Sequence, residues 1–331
     1  MSVVVTGCAG FIGSAVCAGL IEKGETVIGI DDMNDAYDPR LKEERLAHLL
    51  GSKNISFYKA GITRKQELLA VLEKAHEEGR VRAIINLAAR AGVRQSVENP
   101  AIYFSTNVMG CLNLLEWAAA HGVDRFVQAS SSSVYGALQE RPFKEEAPTD
   151  RPLSPYAASK KASELLCHSF HHLYGIDTAV LRFFTVYGPA GRPDMSIFRF
   201  TRWIAEGEAV EVYGDGGQER DFTFIQDIAD GVIKALGVKG FEVINLGSDR
   251  PVTLSEVIDI LKGILDKDCH IKRMEASPLD VRATWADISR ARKVLGWEPS
   301  TSIEEGLRQT VAWYLKNRDW ASRLDLGDRS A

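Results

Sequence analysis

Residues that could move a proton lie near the middle of the chain. Tyr156 precedes Lys160 by four positions, and a run of serines that includes Ser131 lies upstream. Residues four apart share one face of a helix. A tyrosine phenol ordinarily has a pKa near 10, but a neighbouring ammonium group favours the phenolate. The pattern predicts a tyrosine base that takes a proton from a hydroxyl, with the Ser131 hydroxyl beside it.

A glycine pattern near the start of the chain predicts a dinucleotide site. Gly7, Gly10 and Gly13 follow a short apolar segment and open an amphipathic stretch. In that context the backbone can approach a pyrophosphate, whose charge lies at the helix N-terminus. Asp31 ends the next apolar segment, where a carboxylate accepts hydrogen bonds from an adenosine ribose. A 2′-phosphate would meet that carboxylate, so the sequence favours NAD over NADP and predicts hydride transfer.

Apolar and amphipathic stretches alternate through the first 180 residues, which predicts an α/β fold with a Rossmann-type, doubly wound parallel sheet. Strands are predicted near residues 3–6, 26–30, 55–58, 83–87, 125–129, 178–183 and 243–246, and helices near 11–23, 66–77, 101–120 and 156–174. Open parallel sheets bind ligands at the carboxyl ends of their strands. Ser131, which follows the fifth strand, is therefore predicted to lie at the ligand-binding edge.

Beyond Phe184 the pattern becomes irregular, which predicts a second, smaller α/β domain that binds the substrate. The expected division is residues 1–184 with about 224–250 for the dinucleotide-binding domain, and 185–223 with 251–331 for the substrate-binding domain. Two sequences in the second part fit a capping box, Thr253 with Glu256 and Ser302 with Glu305. Each predicts a helix start.

Composition excludes several classes of function. At 331 residues and 45% hydrophobic content, the chain can bury a large core. A net charge of -5 without a basic stripe argues against a nucleic-acid partner. The 5 cysteines form no Cys-x-x-Cys pair, so we expect neither a metal site nor a disulfide framework, and a reducing cytoplasm fits best. The first residues run directly into an apolar segment, so no signal peptide or membrane anchor is expected.

Together these motifs resemble the extended short-chain dehydrogenase/reductase family, and within it the NAD-dependent nucleotide-sugar 4-epimerases. The resemblance spans nearly the whole chain and is carried by the glycine pattern and by segments 86–89, 131–136, 156–160, 181–189 and 220–223. It implies that Tyr156 is the base and that Lys160 lowers the pKa of this tyrosine and holds the nicotinamide ribose. It also implies that Ser131 bridges to the sugar O4.

The resemblance implies two sets of binding residues. The NAD set is Gly7, Gly10, Phe11, Ile12, Gly13, Asp31, Asn34, Ile62, Leu87, Ala88, Ala89, Asn107, Ser130, Tyr156, Lys160 and Phe183. The UDP-sugar set is Arg94, Ser131, Ser132, Ser133, Tyr156, Thr185, Arg192, Tyr213, Arg220, Asp280 and Arg282. Many relatives have a histidine in place of Asn86 and an acidic residue near Gly61 that touches adenine, so here adenine contacts must come from elsewhere. Members usually dimerise, which implies a homodimer through helices 101–120 and 156–174.

The residues after Ser131 separate related activities. The similar 4,6-dehydratases carry Asp-Glu where this chain has Ser132 and Ser133, and decarboxylases that form UDP-xylose usually carry a glutamate at the second position. Neither serine has a carboxyl group for that acid–base work. C4 epimerisation of a UDP-sugar through a 4-keto intermediate is left as the simplest chemistry.

Segments 31–42, 91–94 and 185–195 look like those of the UDP-glucuronate 4-epimerases. Arg192 and Thr185 would suit a C6 carboxylate, because a guanidinium presents a fork of donors. Alternatively, Arg192 is a turn residue in a surface ion pair. The predicted conversion is UDP-glucuronate to UDP-galacturonate. A UDP-glucose/UDP-galactose 4-epimerase, a UDP-glucuronate decarboxylase and a non-catalytic NAD-binding protein remain as alternatives.

Overall fold

A computed structural model describes residues 1–275 and 281–327 of the chain. Its strands are β1 Ser2–Thr6, β2 Thr26–Asp31, β3 Ile55–Lys59, β4 Val81–Asn86, β5 Arg125–Ser131, β6 Asp177–Phe183, β7 Thr185–Tyr187, β8 Val210–Tyr213, β9 Glu219–Phe224, β10 Phe241–Leu246, β11 Pro251–Thr253 and β12 Ile271–Met274. Its α-helices are α1 Phe11–Glu22, α2 Arg40–Leu50, α3 Lys65–Glu78, α4 Val93–Glu98, α5 Pro100–Tyr103, α6 Gly110–Ala120, α7 Pro155–Tyr174, α8 Ser196–Glu206, α9 Ile225–Ala235, α10 Leu254–Leu265, α11 Ser289–Leu295, α12 Ile303–Lys316 and α13 Arg318–Ala321.

Seven strands form one parallel sheet in the order β10-β6-β5-β4-β1-β2-β3. This confirms the predicted doubly wound α/β fold. The strand order reverses between β1 and β4, and ligands bind at the carboxyl ends of the strands beside such a reversal. The glycine loop follows β1 and Ser131 ends β5, so both lie on this edge.

The sheet is covered on both faces because its strands are apolar on both sides. In β1, Val3 and Val5 join a core with α1 and α9, whereas Val4 joins a core with α3, α6 and α7. Successive side chains of a strand point to opposite faces, so a continuous run of valines supplies both cores. A third core lies among α8, α10 and α12, and it includes Phe11 and Leu41 from the sheet region.

Two small sheets lie outside the main one. Strands β11, β9 and β7 form a three-stranded sheet, with β11 antiparallel to β9 and β7 parallel to it. Strands β12 and β8 pair in parallel. No helix within residues 1–275 and 281–327 is both long enough and apolar enough to cross a lipid bilayer.

Three local expectations need correction. The helix predicted over 101–120 is interrupted by a π-helical segment, Phe104–Met109, between α5 and α6. Helix α2 was not predicted, because its buried face includes Lys42 and Arg45. The capping box of Thr253 with Glu256 is confirmed, but the second box is incomplete. Ser302 caps the Glu305 N–H, whereas the Glu305 carboxylate accepts from Gln309 instead.

A buried ion pair joins α7 to the sheet. Arg182 and Glu164 form two hydrogen bonds of 2.9 Å, and each side chain is only 3% exposed. Burial opposes both charges, but the guanidinium holds the pKa of Glu164 below its ordinary value. Glu164 also accepts from Ser130 at 2.6 Å, and Arg182 also donates to Tyr135 at 3.0 Å. The pair therefore fixes α7 against β5 and β6.

Replacement of Glu164 by alanine should lower the free energy of unfolding by about 3–5 kcal/mol, because it leaves a buried guanidinium without its counter-charge. Urea denaturation followed by circular dichroism measures this change. The matched control is Glu116→Ala, since the Glu116–Lys65 pair is 45% and 52% exposed. The control should cost less than about 1 kcal/mol. Equal effects of the two variants would contradict the structural role of the Arg182–Glu164 pair.

Candidate active site

The glycine loop is shaped by close backbone approach. Gly7 has a φ of +70°, and a Cβ there would lie 2.8 Å from the Ala88 nitrogen. A Cβ on Gly13 would lie 2.0 Å from the Gly7 carbonyl oxygen. Gly10 is the N-cap of α1, and no side chain caps this helix. The first N–H groups of α1 therefore have no side-chain acceptor at the cap. This is the geometry of a cradle for a pyrophosphate.

Asp31 lies at the end of β2, as predicted, but its carboxylate already has partners. It accepts from the Ala9 N–H at 3.2 Å and from the Met33 N–H at 2.8 Å, and Lys42 lies 3.4 Å from it. Asp31 and Lys42 are both buried. A carboxylate has about four acceptor positions, so these contacts still leave room for a ribose hydroxyl.

Helix α7 begins at the residues that hold the tyrosine. Ser154 is its N-cap and accepts from the Ala157 N–H at 3.2 Å, and Pro155 occupies the first helical position. Tyr156 lines the same cavity as Ser131, whose hydroxyl donates to that of Ser133 at 3.2 Å. The ring of Tyr103 meets that of Tyr156 edge-on, with centroids 6.1 Å apart. The structure thus brings the predicted serine and tyrosine together.

Burial sets the protonation of the tyrosine and lysine. Burial raises the pKa of Tyr156 above its ordinary value, and the hydrogen bond from Ser131 and the charge of Arg192 lower it only in part. Burial lowers the pKa of Lys160 to about 8. The Lys160 ammonium donates to the Ala129 carbonyl at 3.0 Å. In this structure burial dominates the pKa of Tyr156, and Ser131 and Arg192 oppose it. That Lys160 favours the phenolate stays a prediction.

A cavity of about 670 Å³ connects the glycine loop to the tyrosine and then to the small sheets. Most of the predicted site residues line it: Gly7, Gly10, Phe11, Ile12, Gly13, Leu87, Ala89, Arg94, Ser130, Ser131, Ser132, Ser133, Tyr156, Lys160, Phe183, Thr185, Arg192, Tyr213 and Arg220. This volume is in the range of small-molecule and cofactor sites.

Other predicted residues lie outside that lining. They are Asp31, Asn34, Ile62, Ala88, Asn107 and Arg282. The Arg282 guanidinium lies at the surface and pairs with Asp215 at 3.2 Å. Asp280 falls outside the described residues.

Asn107 lies in the π-helical segment and holds the loop after β4. Its amide donates to the Arg90 carbonyl at 3.0 Å and accepts from the Arg90 N–H at 2.8 Å. It also donates to the Ser159 hydroxyl at 2.9 Å. Asn107 is buried, so it positions the cavity wall and α7 rather than lining the cavity itself.

Arg192 reaches the cavity beside Thr185, but it is already paired. Its Nε and Nη2 donate to the Asp194 carboxylate at 3.0 and 2.6 Å. The two side chains are 20% and 14% exposed, so this is a largely buried pair and not the surface pair of the alternative reading. Burial opposes the charge of Arg192, but Asp194 raises its pKa above the ordinary value. The pair leaves Nη1 for another acceptor.

The far end of the cavity is closed by a contact between its two sides. The Arg94 guanidinium on α4 lies 4.3 Å from the ring centroid of Tyr213 on β8. Arg220 on β9 lines the same end. Arginines and an aromatic ring suit a diphosphate and a planar base, respectively.

Tyr37, Lys42 and Arg45, on helix α2 and its preceding loop, were not among the predicted site residues. Tyr37 lines the cavity, and the ring is 5.8 Å from the Arg192 guanidinium. Lys42 and Arg45 lie behind the cavity wall. A helical spacing of leucines at Leu41 and Leu49 was the available signal, but two basic residues on the same face obscured it.

Comparison with known proteins gives a consistent result. Residues 4–310 match the family model described as GDP-mannose 4,6 dehydratase. The chain is 50% identical over 315 residues to a UDP-glucuronate 4-epimerase of Thermodesulfobacterium geofontis, covering 95% of this chain and 96% of that relative.

Solved structures agree with the sequence relatives. The UDP-glucuronic acid 4-epimerase of Bacillus cereus, in complex with UDP-glucuronic acid and NAD, superposes with a TM-score of 0.88 at 33% identity, covering 96% of this chain and 100% of that one. A UDP-glucose 4-epimerase of Thermotoga maritima with UDP-glucose gives the same TM-score, 0.88, the same identity, 33%, and the same coverages.

Proposed function

The chain belongs to the GDP-mannose 4,6 dehydratase family of extended short-chain dehydrogenase/reductases, and on that premise we propose that it is an NAD-dependent UDP-sugar 4-epimerase, an isomerase. The observation that carries the proposal is that Ser131, Tyr156 and Lys160 line one cavity that extends from the glycine loop to Arg192. The substrate is UDP-glucuronate, which is converted into UDP-galacturonate through a 4-keto sugar.

The family also contains dehydratases, and the residues after Ser131 decide against that reaction. Elimination of the C6 hydroxyl needs an acid and a base beside the sugar. Ser132 and Ser133 line the cavity at those positions and carry no carboxyl group. Epimerisation needs only proton transfer at O4 together with removal and return of the C4 hydrogen.

The residues present fit NAD. At Gly7 and Gly13 a Cβ would collide with backbone atoms, so the two glycines allow the tight loop, and the uncapped start of α1 offers N–H donors to a pyrophosphate. The Asp31 carboxylate is placed for ribose hydroxyls and disfavours a 2′-phosphate. NAD, when bound, would supply a hydride acceptor and donor at C4, and the hydride would return to the opposite face of the sugar after the keto sugar has turned.

Tyr156 takes the O4 proton, and Ser131 bridges the tyrosine to that oxygen. Both side chains line the same cavity, which supports these roles, since a base must lie within hydrogen-bond reach of the proton. Lys160 contributes a charge. With its pKa lowered to about 8, the ammonium is the major form at neutral pH. The positive nicotinamide ring and this ammonium both favour the phenolate over the phenol.

A C6 carboxylate would bind to Arg192, Thr185 and Ser133. The 4-keto form of glucuronate is a β-keto acid, which loses carbon dioxide when its C5–C6 bond aligns with the carbonyl π system. Fixing the carboxylate away from that alignment prevents the loss. At the other end, Arg94 and Arg220 would bind the diphosphate and Tyr213 would contact the uracil, while Asp280 and Arg282 remain predicted contacts.

One observation favours a second candidate, a UDP-glucose/UDP-galactose 4-epimerase. The Arg192 charge is balanced by Asp194, and such a pair does not require an anionic substrate group. The likeness to the Thermotoga maritima structure is as high as that to the Bacillus cereus one. The two candidates differ only in the substrate group at C6.

The enzyme acts as a homodimer in the cytoplasm. Apolar side chains on the π-helical segment and on α7 are exposed, among them Phe104 at 42%, Met109 at 51% and Leu165 at 59%. These elements pack together within one subunit, so the exposed side chains offer a surface for a second copy. All five cysteines are free thiols, as a reducing compartment permits. Residues 1–184 with about 224–250 bind NAD, and 185–223 with 251–331 bind the nucleotide sugar.

Purified protein without added cofactor should convert UDP-glucuronate into UDP-galacturonate and release no carbon dioxide. UDP-glucose should react at least about tenfold more slowly, because it lacks the group that Arg192 binds. Chromatography of the products and carbon dioxide capture measure both results. Faster conversion of UDP-glucose would select the second candidate, carbon dioxide would identify a decarboxylase, and retained NAD without turnover would indicate a binding protein.

Ser131→Ala should shift the acid limb of the kcat profile to higher pH. The Ser131 hydrogen bond lowers the pKa of Tyr156, so its loss raises that pKa and reduces the phenolate fraction at neutral pH. We expect a loss on the order of 100-fold at pH 7 that partly recovers in alkali. The control is Ser169→Ala, which replaces an exposed serine on α7, the helix that carries Tyr156. A Ser131→Ala loss that is constant across pH would refute the link to Tyr156.

A further inference from the structure

Arg45 on helix α2 connects three parts of the site that are distant in sequence. Its side chain is buried, with 5% exposure for the residue. Nε and Nη2 donate to the Ala190 carbonyl at 3.2 and 2.6 Å. Nη1 donates to the Tyr37 hydroxyl at 2.7 Å and to the Ala9 carbonyl at 3.3 Å. The guanidinium therefore binds the glycine loop, the cavity wall and the loop that leads to Arg192.

The contact with Ala190 bears directly on Arg192. Ala190 has a φ of +54°, a conformation that non-glycine residues rarely adopt without outside support. Gly191 donates to the Gly188 carbonyl at 3.1 Å, so the chain turns tightly just before Arg192. Two hydrogen bonds from Arg45 hold the Ala190 carbonyl, and they thereby fix the position of Arg192 at the end of the turn.

Tyr37 gives a second connection between the two arginines. The Arg45 guanidinium lies 5.5 Å from the centroid of the Tyr37 ring, and the Arg192 guanidinium lies 5.8 Å from the same centroid. Tyr37 lines the cavity, whereas Arg45 does not. The ring is thus held by the Arg45 bond to its hydroxyl and in turn supports Arg192.

The charges near Arg192 make this arrangement relevant to an anionic substrate. Asp194 balances the charge of Arg192. Arg45 donates to two carbonyls and a hydroxyl, and none of these acceptors is a carboxylate. Its charge therefore adds a positive potential behind the Tyr37 ring, at 5.5 Å from the ring centroid.

We propose that Arg45 is a positioning residue that sets selectivity for a C6 carboxylate by fixing Tyr37 and the Arg192 turn against the glycine loop. The proposal rests on the proposed UDP-glucuronate 4-epimerase function. An arginine is needed because a planar fork can reach acceptors in three segments at once, which a lysine cannot do.

The same positioning protects the 4-keto sugar from loss of carbon dioxide. If the carboxylate of the 4-keto sugar is free to rotate, the C5–C6 bond breaks and carbon dioxide leaves. The bonding electron pair passes into the C4 carbonyl as an enolate, and a proton from water then adds to C5. A loosened Arg192 should therefore raise the fraction of turnovers in which carbon dioxide leaves. The product is then a 4-keto pentose with the hydride from C4 left on the cofactor, or a pentose if that hydride returns to C4.

Arg45→Met tests this because methionine keeps an apolar stem and removes every donor. We expect kcat/KM for UDP-glucuronate to fall on the order of 100-fold, since a displacement of about 1 Å at a reacting group has that effect. UDP-glucose should be affected far less, so that the ratio of the two kcat/KM values falls by at least about tenfold. Carbon dioxide per turnover should rise. Separate kcat and KM values, bound NAD and circular dichroism complete the measurement.

Arg40→Met is the matched control. Arg40 lies on the same helix, its side chain is 45% exposed, and it pairs with Asp38. This variant should keep the selectivity ratio and the carbon dioxide yield of the wild type. If Arg45→Met does not fold, Arg45→Lys, which keeps a charge and a long stem, is the variant to measure, and its ratio should also fall.

Two outcomes overturn the inference. A folded variant that loses activity equally on both sugars, or that keeps the wild-type ratio and releases no additional carbon dioxide, would make Arg45 a purely structural residue. Failure of the proposed function is visible without any variant, because the wild type would then prefer UDP-glucose or leave UDP-glucuronate unchanged. If the wild type prefers UDP-glucuronate and Arg45→Met keeps the wild-type ratio of kcat/KM values, the role of Arg45 is refuted and the proposed function is not.

Discussion

The buried pair of Arg182 and Glu164 is the contact on which the geometry of the site depends. It joins β6 to α7, and Glu164 also binds Ser130, which precedes Ser131 on β5. Tyr156 and Lys160 are carried by α7, so their distance from β5 follows from this one junction. A buried ion pair gives little net stability, but losing one partner is costly. Such a pair therefore specifies one position for the helix.

Burial then shifts the pKa values of the two reactive side chains, Tyr156 and Lys160. Burial disfavours charge on both reactive groups, so it raises the pKa of Tyr156 and lowers that of Lys160. The two pKa values move apart, so burial favours the neutral phenol and amine over the phenolate and ammonium. Ser131 and Arg192 partly counter the effect of burial on the tyrosine. Burial thus disfavours the phenolate of Tyr156, and a positive charge beside the phenol favours it.

Sequence reasoning predicted what depends on local pattern. The valine run of β1, the glycine spacing and the serine at the end of β5 led to the correct sheet, since each is a short-range signal. It did not predict contacts between distant segments. Arg45 reaches Ala190, and Asp194 occupies the fork of Arg192. Neither contact follows from residue type or spacing, because each depends on how the loop after β7 packs against α2.

The central claim is that hydrogen leaves C4 and returns to the same carbon within one active site. UDP-glucuronate carrying deuterium at C4 tests it most directly, with the product and the water analysed by mass spectrometry. UDP-galacturonate should retain all of the deuterium at C4, with none in the water and with slower turnover than the unlabelled sugar. Loss of the label to water would contradict hydride transfer, and it would require inversion by removal of a proton instead.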